Sequence, residues 1–460
     1  MSSAKLFGDS LVLSAASVYP ERAEEKTPWH DRLAETLYGR LWLPMIGSVG
    51  GPIRGLKDIV SLTAKYASEC SNASDDQLVA SVRTVRAALR RIGFAPKVVG
   101  HAFALVREVA FRTIGQRHFD TQIMGGWALL QGKLAEMATG EGKTLVASLA
   151  VSTAALAGVP VHVITVNDYL AERDAEAMAP IYRYLGLSVG VVIQGMSPDV
   201  RRKAYGCDVT YCTNKELAFD YLRDRVATGQ SGGRLNMALD ALHDSGGIAT
   251  RMLLRGLHFA IVDEADSVFI DEARTPLILS SIVDGKHDLE IFNTALDVAK
   301  DLKLGEHYKM NERQRHVSLT DSGKARVGEM TAEHGGVWTS VRGRQELVTQ
   351  GLSALLLYLC DKHYVITEGK VQIVDESTGR VMPDRSWERG LHQMIEAKEG
   401  CELSAGRETI ARITYQRLFR RYLLLAGMTG TGREVAREMR AVYRLSTVAI
   451  PLNRPSGRRC

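Results

Sequence analysis

Three stretches of this 460-residue chain hold residue types whose spacing suits phosphate chemistry. The first is Met137-Ala-Thr-Gly-Glu-Gly-Lys-Thr144, which runs into the apolar Leu145-Val-Ala-Ser-Leu-Ala-Val151. Gly140 and Gly142, on either side of Glu141, remove Cβ atoms that would block close approach, so successive backbone N–H groups can turn toward anionic oxygens at a helix N-terminus. Lys143 is then suited to neutralise β- and γ-phosphates, and the Thr144 hydroxyl to ligate Mg²⁺. The full phosphate-loop spacing asks for Gly at position 137, where this chain has Met; the plain alternative is a glycine-containing turn ahead of a core helix. The second stretch is Asp263-Glu-Ala-Asp266, which closes the apolar His258-Phe-Ala-Ile-Val262. Ligands of parallel sheets sit beyond the carboxyl ends of the strands. Asp263 is therefore suited to hold Mg²⁺ through water, and Glu264 to polarise an attacking water as general base. The alternative is a solvated acidic turn. The third is Gln122, whose side-chain amide is donor and acceptor at once and so matches an adenine edge, with the Phe119 ring nearby.

Positioning these groups requires an α/β framework. From 56 to about 115 the pattern is helical, with a capping Ser74 ahead of Asp75-Asp-Gln77. Apolar strand-like runs at 161–166, 187–193, 208–213 and 258–263 alternate with helical stretches, the rhythm of a doubly wound parallel sheet. Asn167-Asp168 caps the helix after the first of them. Glycine/serine patches at Thr228–Arg234 and Ser245–Gly247 bracket a surface insertion. In the first 55 residues, Trp29, Leu33, Leu37 and Leu41 make one apolar helical stripe that Pro44 ends; it lacks the dense basic face of an interfacial helix, so packing on the body is expected.

Composition narrows the classes. The 58 Lys+Arg against 53 Asp+Glu leave a net charge of +5, too even a balance to indicate nucleic acid, and the only basic cluster is the tail Arg454–Arg459. The six cysteines (70, 207, 212, 360, 401, 460) include no C-x-x-C pair, so neither zinc nor a disulfide framework is expected and a reducing compartment fits. No apolar run reaches 18 residues, and the N-terminus makes a poor signal peptide. A soluble protein is expected, with peripheral membrane contact left open.

Asp263-Glu-Ala-Asp-Ser-Val-Phe-Ile-Asp-Glu-Ala-Arg-Thr-Pro-Leu277 resembles the signature of SecA, the preprotein translocase motor ATPase. Further blocks follow in that family's order: Arg117-His-Phe-Asp-Thr-Gln122, Thr139-Gly-Glu-Gly-Lys-Thr144, Thr165–Asp174, Tyr211-Cys-Thr-Asn214 with Phe219–Asp224, Gly390-Leu-His-Gln393 with Glu396-Ala-Lys-Glu399, and Met428-Thr-Gly-Thr431. The resemblance runs from about residue 56 to Pro455. It implies a RecA-like motor lobe, a parallel sheet flanked by helices, carrying an inserted α+β substrate-binding domain and preceded by a helical N-terminal segment. The implied division is an extension at 1–55, a first part of the lobe at 56–279, a preprotein-crosslinking insertion at 280–372, a return segment at 373–455 and a tail at 456–460. Within the insertion, Tyr364 to Val374 reads as a hairpin around Glu368-Gly369.

By the same resemblance, Gln122 reads adenine, Gly140, Glu141, Gly142, Lys143 and Thr144 form the phosphate loop, Asp263 and Glu264 are the magnesium and catalytic carboxylates, and Thr429, Gly430 and Thr431 couple nucleotide state to lobe movement. The implied cofactors are ATP and Mg²⁺. The implied partners are an unfolded preprotein and a membrane channel of the SecYEG type, with the chain cytoplasmic and peripheral to the inner face of the membrane; no nucleic acid is expected. Ala138 stands where the family usually has a basic residue, and Gln116 where an apolar one is common. After Pro455 the family continues into a second lobe with its arginine-bearing motif, which leads to the expectation of nucleotide binding with little hydrolysis by this chain alone, or of a separate chain supplying that lobe. The alternatives are a helicase-type ATPase fragment, which has no need of Phe269–Leu277 or the insertion, and a non-hydrolysing regulatory ATP-binding protein.

Overall fold

A computed structural model describes residues 19–22, 54–229, 251–283, 288–311, 315–367, 369–375, 379–382, 385–387, 390–404 and 406–454. The Trp29–Leu41 stripe, the Ser245–Gly247 patch, most of the Thr228–Arg234 patch and the 456–460 tail lie outside those residues. The chain forms two compact units, one of Met1–Leu279 with Ala411–Cys460 and the other of Ser280–Ile410.

The first unit is built on seven strands: β1 (Lys133–Glu136), β2 (Val161–Thr165), β3 (Val189–Val192), β4 (Val209–Thr213), β5 (Phe259–Val262), β6 (Leu424–Thr429) and β7 (Ser446–Ala449). They lie in the order β7-β1-β6-β5-β2-β4-β3, every adjacent pair parallel. The four strand-like runs in the sequence become β2 to β5, each trimmed by a residue or more. β2, β4, β5 and β6 are buried along their whole length, which explains their near-continuous apolar composition. Alternate residues still separate by face. Val161 and Val163 of β2, with Phe259 and Ile261 of β5, join one core; Ile164, Ala260 and Val262 join the other.

The first core is covered by the helices Arg54–Asn72, Asp75–Ile92, Pro96–Ile114, Asp120–Leu130, Lys143–Leu156 and Asp168–Tyr184. Ser74 caps the second of these with a reciprocal box, its hydroxyl accepting from Gln77 N and its own N–H donating to the Gln77 side chain. Asn167 caps Asp168–Tyr184 through Leu170 N. The second core is covered by Pro198–Tyr205, Asn214–Thr228, Tyr415–Phe419 and Gly432–Tyr443. After β5 the chain makes a single π turn, Ser267–Asp271, closed by Glu272 N donating to Ser267 O at 3.0 Å.

The second unit has its own core, in which Phe292, Leu296 and Ala299 of the helix Asp288–Lys300 meet Val348 and Leu352 of Val341–Leu356. Tyr364–Thr367 and Lys370–Val374 pair antiparallel, the hairpin expected around 368–369, and Val381–Met382 adds a third strand. The sequence places the return to the first unit at 373, whereas the structure keeps the chain in the second unit to Ile410. The reason is the helix Leu391–Lys398. Its Met394 and Ile395 are fully buried in the second unit's core, Lys398 donates to Ala354 O, Tyr358 O and the Tyr364 hydroxyl, and Glu399 accepts from Tyr364.

Candidate functional site

Because β6 lies between β1 and β5, the segments leaving the carboxyl ends of three adjacent strands converge. β1 feeds the glycine loop, β6 ends in Thr429-Gly-Thr431, and β5 ends in Asp263-Glu264. The sequence-predicted phosphate loop, acidic pair and coupling threonines therefore all belong to one place, outside the carboxyl edge of a parallel sheet.

The loop is anchored at its start by Met137, whose N–H donates to Thr429 O at 2.9 Å and whose side chain is buried in the first core. A glycine at 137 would forfeit that packing. Gly142 is the N-cap of the helix Lys143–Leu156, at φ +76°, with no side chain capping the first turn, so the N–H groups of that turn are left for an outside acceptor. The two loop glycines differ in what they require. Gly140, at φ +94°, has open space where a Cβ would be; Gly142 has none, because its Cβ would lie 2.7 Å from Gln122 Nε2.

Gln122 is buried, and its amide has two backbone partners: Oε1 accepts from Phe119 N at 2.9 Å, and Nε2 donates to Glu141 O at 2.8 Å. It thus clasps the phosphate loop from below. The neighbouring His118 is completely buried, its Nε2 within 2.9 Å of Leu145 O and 3.1 Å of Ser148 Oγ, and burial pushes the imidazole down to about 4. At neutral pH it is uncharged and pins the 117–119 segment to the first turns of the phosphate-loop helix. The sequence shows His118 within the Arg117–Gln122 block but assigns it no role, because a histidine beside apolar neighbours carries no signal of which helix it will meet.

Lys143 reaches across to Glu264, Nζ to Oε1 3.5 Å, with the lysine mostly buried and the glutamate half exposed. Asp263 is fixed by its N–H on Ile164 O and accepts Glu264 N at 3.1 Å. Burial raises its carboxyl to about 6; Lys143 opposes that shift and Glu264 adds to it. Glu264 itself adopts φ +52°, a left-handed conformation unusual for a residue with a Cβ, and this turns the chain out of β5. Two residues on, Asp266 accepts the Thr431 hydroxyl. Burial would raise its carboxyl, but the Thr431 and Thr429 hydroxyls hold it below its ordinary value. Thr431 N also donates to Thr429 Oγ1 at 3.1 Å.

Beside the loop opens a cavity of about 450 Å³ lined by Gln116, Phe119, Gln122, the loop backbone at 140–142 and, unforeseen from sequence, Asn453 and Arg454. Its size suits a small ligand. No helix among the described residues is long and apolar enough to cross a membrane.

A family model described as the SecA DEAD-like domain matches residues 49–440. The chain belongs to the SecA family. It is 47% identical to protein translocase subunit SecA 2 of Nitrosospira multiformis over 97% of this chain and 66% of that one. It is 50% identical to SecA 2 of Bordetella avium over 80% and 56%, and 43% identical to SecA 3 of Magnetococcus marinus over 96% and 66%. The chain thus spans just under two thirds, or less, of the length of these relatives. Among solved structures, a hypothetical ATP-dependent RNA helicase from Sulfolobus tokodaii aligns at 22% identity and a TM-score of 0.24, over 36% of this chain and 44% of that one, too loosely to bear on function. In a member of this family, the seven-stranded sheet and its helices are a RecA-like lobe of helicase type.

Proposed function

We propose that this SecA-family chain binds ATP with Mg²⁺ at the carboxyl edge of its parallel sheet and uses the nucleotide cycle in moving unfolded preproteins through a membrane channel, acting from the cytoplasmic face as a peripheral protein. The single observation that carries the nucleotide half is the approach of Lys143 to Glu264 across the ends of β1 and β5, with Asp263 beside them. The transport half rests on family membership and on the names of the relatives.

The donor set fits Mg²⁺. Thr144 supplies a hydroxyl and Asp263 a carboxylate, and among the described residues no cluster of three or more His, Cys, Asp or Glu side chains offers a closed cage, so phosphate oxygens and water would complete the shell, as this ion prefers. The bound ion would supply neutralisation of charge on the phosphoryl oxygens. The rest is the chain's own work. The glycine loop and the uncapped first helical turn hold the phosphates; Lys143 leaves Glu264 for them; Glu264, so freed and half exposed, takes a proton from the attacking water. Gln122 would have to give up Glu141 O to read the adenine edge.

Calorimetric titration of MgATP into the purified chain, with steady-state phosphate release, tests this reading. Lys143→Ala is expected to weaken binding at least about tenfold, the order of one lost charge-assisted contact. Glu264→Gln is expected to bind as the parent does and to lose whatever turnover the parent shows. Parent-like affinity in Lys143→Ala, or parent-like turnover in Glu264→Gln, would reject the assignment. Stimulation of turnover by membrane vesicles bearing the channel together with an unfolded preprotein tests the transport half.

A further inference from the structure

The cavity beside the phosphate loop carries two residues that no motif assigns, Asn453 and Arg454, from the segment that follows β7. Arg454 therefore shares a cavity with Phe119, Gln122 and the loop backbone at 140–142, whereas Lys143, Asp263 and Glu264 do not line it. The segment is tethered there: Asn453 N–H donates to the Glu141 carboxylate, Oε2, at 3.2 Å, so the residue next to Arg454 is tied to the phosphate loop itself.

Two arginines border this cavity, and they differ. Arg117 is engaged with Glu108 at 3.7 Å and lies over the Phe111 ring. Arg454 is exposed and forms no ion pair or hydrogen bond among the described residues. The aromatic surface in the cavity is Phe119, 49% exposed, an unusual state for a phenylalanine whose own backbone is clasped by Gln122. A half-exposed aromatic ring and a planar guanidinium without a partner among the described residues, both lining the same cavity, suit a flat, polarisable ligand between them.

We propose that Arg454 stacks its guanidinium on the nucleobase, on the face opposite Phe119, with the Asn453–Glu141 bond holding the arginine in register with the phosphate loop. The proposal rests on the nucleotide reading of the site. Because stacking reads a ring's face and not its edge, Arg454 contributes to affinity for any purine nucleotide, whereas edge reading is left to other groups.

The test is titration of the parent, Arg454→Ala and Lys143→Ala with MgATP, MgGTP and magnesium tripolyphosphate, which has the phosphates and no base. Arg454→Ala is expected to weaken ATP and GTP to a similar degree, by about two- to thirtyfold, and to leave tripolyphosphate unchanged. An equal loss on tripolyphosphate would overturn the proposal by making Arg454 a phosphate contact, and no loss on any ligand would remove Arg454 from the site. Lys143→Ala separates the two levels. If it leaves all three ligands unaffected, the nucleotide site itself is misplaced; if it weakens all three while Arg454→Ala weakens none, the site stands and the stacking role falls. Arg454 is on the surface, so the variant is expected to fold as the parent does.

Discussion

The two loop glycines offer a measurement that separates backbone conformation from contact. Both sit in the left-handed region, Gly140 at φ +94° and Gly142 at φ +76°, so placing a Cβ on either costs about 1–2 kcal/mol in backbone energy alone. At Gly140 that is the entire cost, since nothing lies within 4 Å of the added carbon. At Gly142 the carbon would stand 2.7 Å from Gln122 Nε2, which is itself bonded to Glu141 O at 2.8 Å. Gln122 is buried and also held by Phe119 N, so it cannot swing away without leaving backbone groups unsatisfied, at about 1–3 kcal/mol. Gly142→Ala is therefore expected to destabilise the protein by about 2–5 kcal/mol, and Gly140→Ala by about 1–2 kcal/mol. Denaturant unfolding of the three single variants and of the two that combine Gln122→Ala with a glycine substitution measures the difference. In a Gln122→Ala background the steric part disappears, so the added costs of Gly142→Ala and Gly140→Ala should converge to within about 0.5 kcal/mol, which makes the coupling between Gly142 and Gln122 about 1–3 kcal/mol. Equal effects of the two glycine substitutions in the parent background, or no convergence when Gln122 is removed, would refute the idea that Gln122 clasps the loop.

His118 titrates near 4 in the fold against about 6.5 in an unfolded chain, so below pH 6.5 the unfolded state takes up a proton that the folded state refuses, and stability falls with pH. Between pH 7 and pH 5 this amounts to about 2 kcal/mol, and His118→Gln is expected to lose that share of the acid sensitivity in parallel unfolding curves. Asp220 is fully buried, accepting Arg201 at 2.8 Å, the Tyr205 hydroxyl at 3.0 Å and Arg223, while Arg201 also reaches Glu216 at 2.6 Å. Asp220→Ala leaves Arg201 with Glu216 as its remaining carboxylate and deprives the buried Tyr205 hydroxyl of its acceptor, and is expected to cost about 1–3 kcal/mol by chemical denaturation. Thr431→Val removes the hydroxyl that Asp266 accepts and is expected to cost about 1–3 kcal/mol of stability, with MgATP affinity retained and turnover lowered; unchanged turnover would separate Thr431 from the coupling role.

The motifs were legible because phosphate chemistry restricts residue type: a glycine at a left-handed helix cap, a lysine after it, carboxylates at a strand's end. What escaped sequence reading is whatever depends on which distant segment arrives. β1, Lys-Leu-Ala-Glu, has only two buried residues between half-buried charged ends, too little for a period-two pattern, yet it occupies the place between β7 and β6 that aims the phosphate loop. Gln122 was readable as a bifunctional amide, but not that both its functions are met by backbone at 119 and 141. The unit boundary slipped from 372 to 410 because a hairpin looks like an ending, while the burial of Met394 and Ile395 in the core of the second unit is a tertiary fact. Asn453 meets Glu141 across 312 residues, and no local pattern announces it.

The arrangement of bonds at the strand ends gives the coupling proposal a physical basis. Thr429 O receives Met137 N at the root of the phosphate loop, the Thr429 hydroxyl receives Thr431 N, and the Thr431 hydroxyl is given to Asp266 at the end of the acidic strand. Each of the three segments is thus bonded to at least one other, and the middle one, Thr429-Gly-Thr431, to both. Thr429 is fully buried and cannot exchange these partners for water, so a displacement of the phosphate loop has to be taken up by the threonine segment or break a buried bond. Lys143 adds a fourth link, to Glu264, that the proposed ATP-bound state must give up. Of the four, the Lys143–Glu264 contact is the longest, at 3.5 Å, and its glutamate is half exposed, which makes it the weakest and the one whose loss a bound triphosphate can most readily offset.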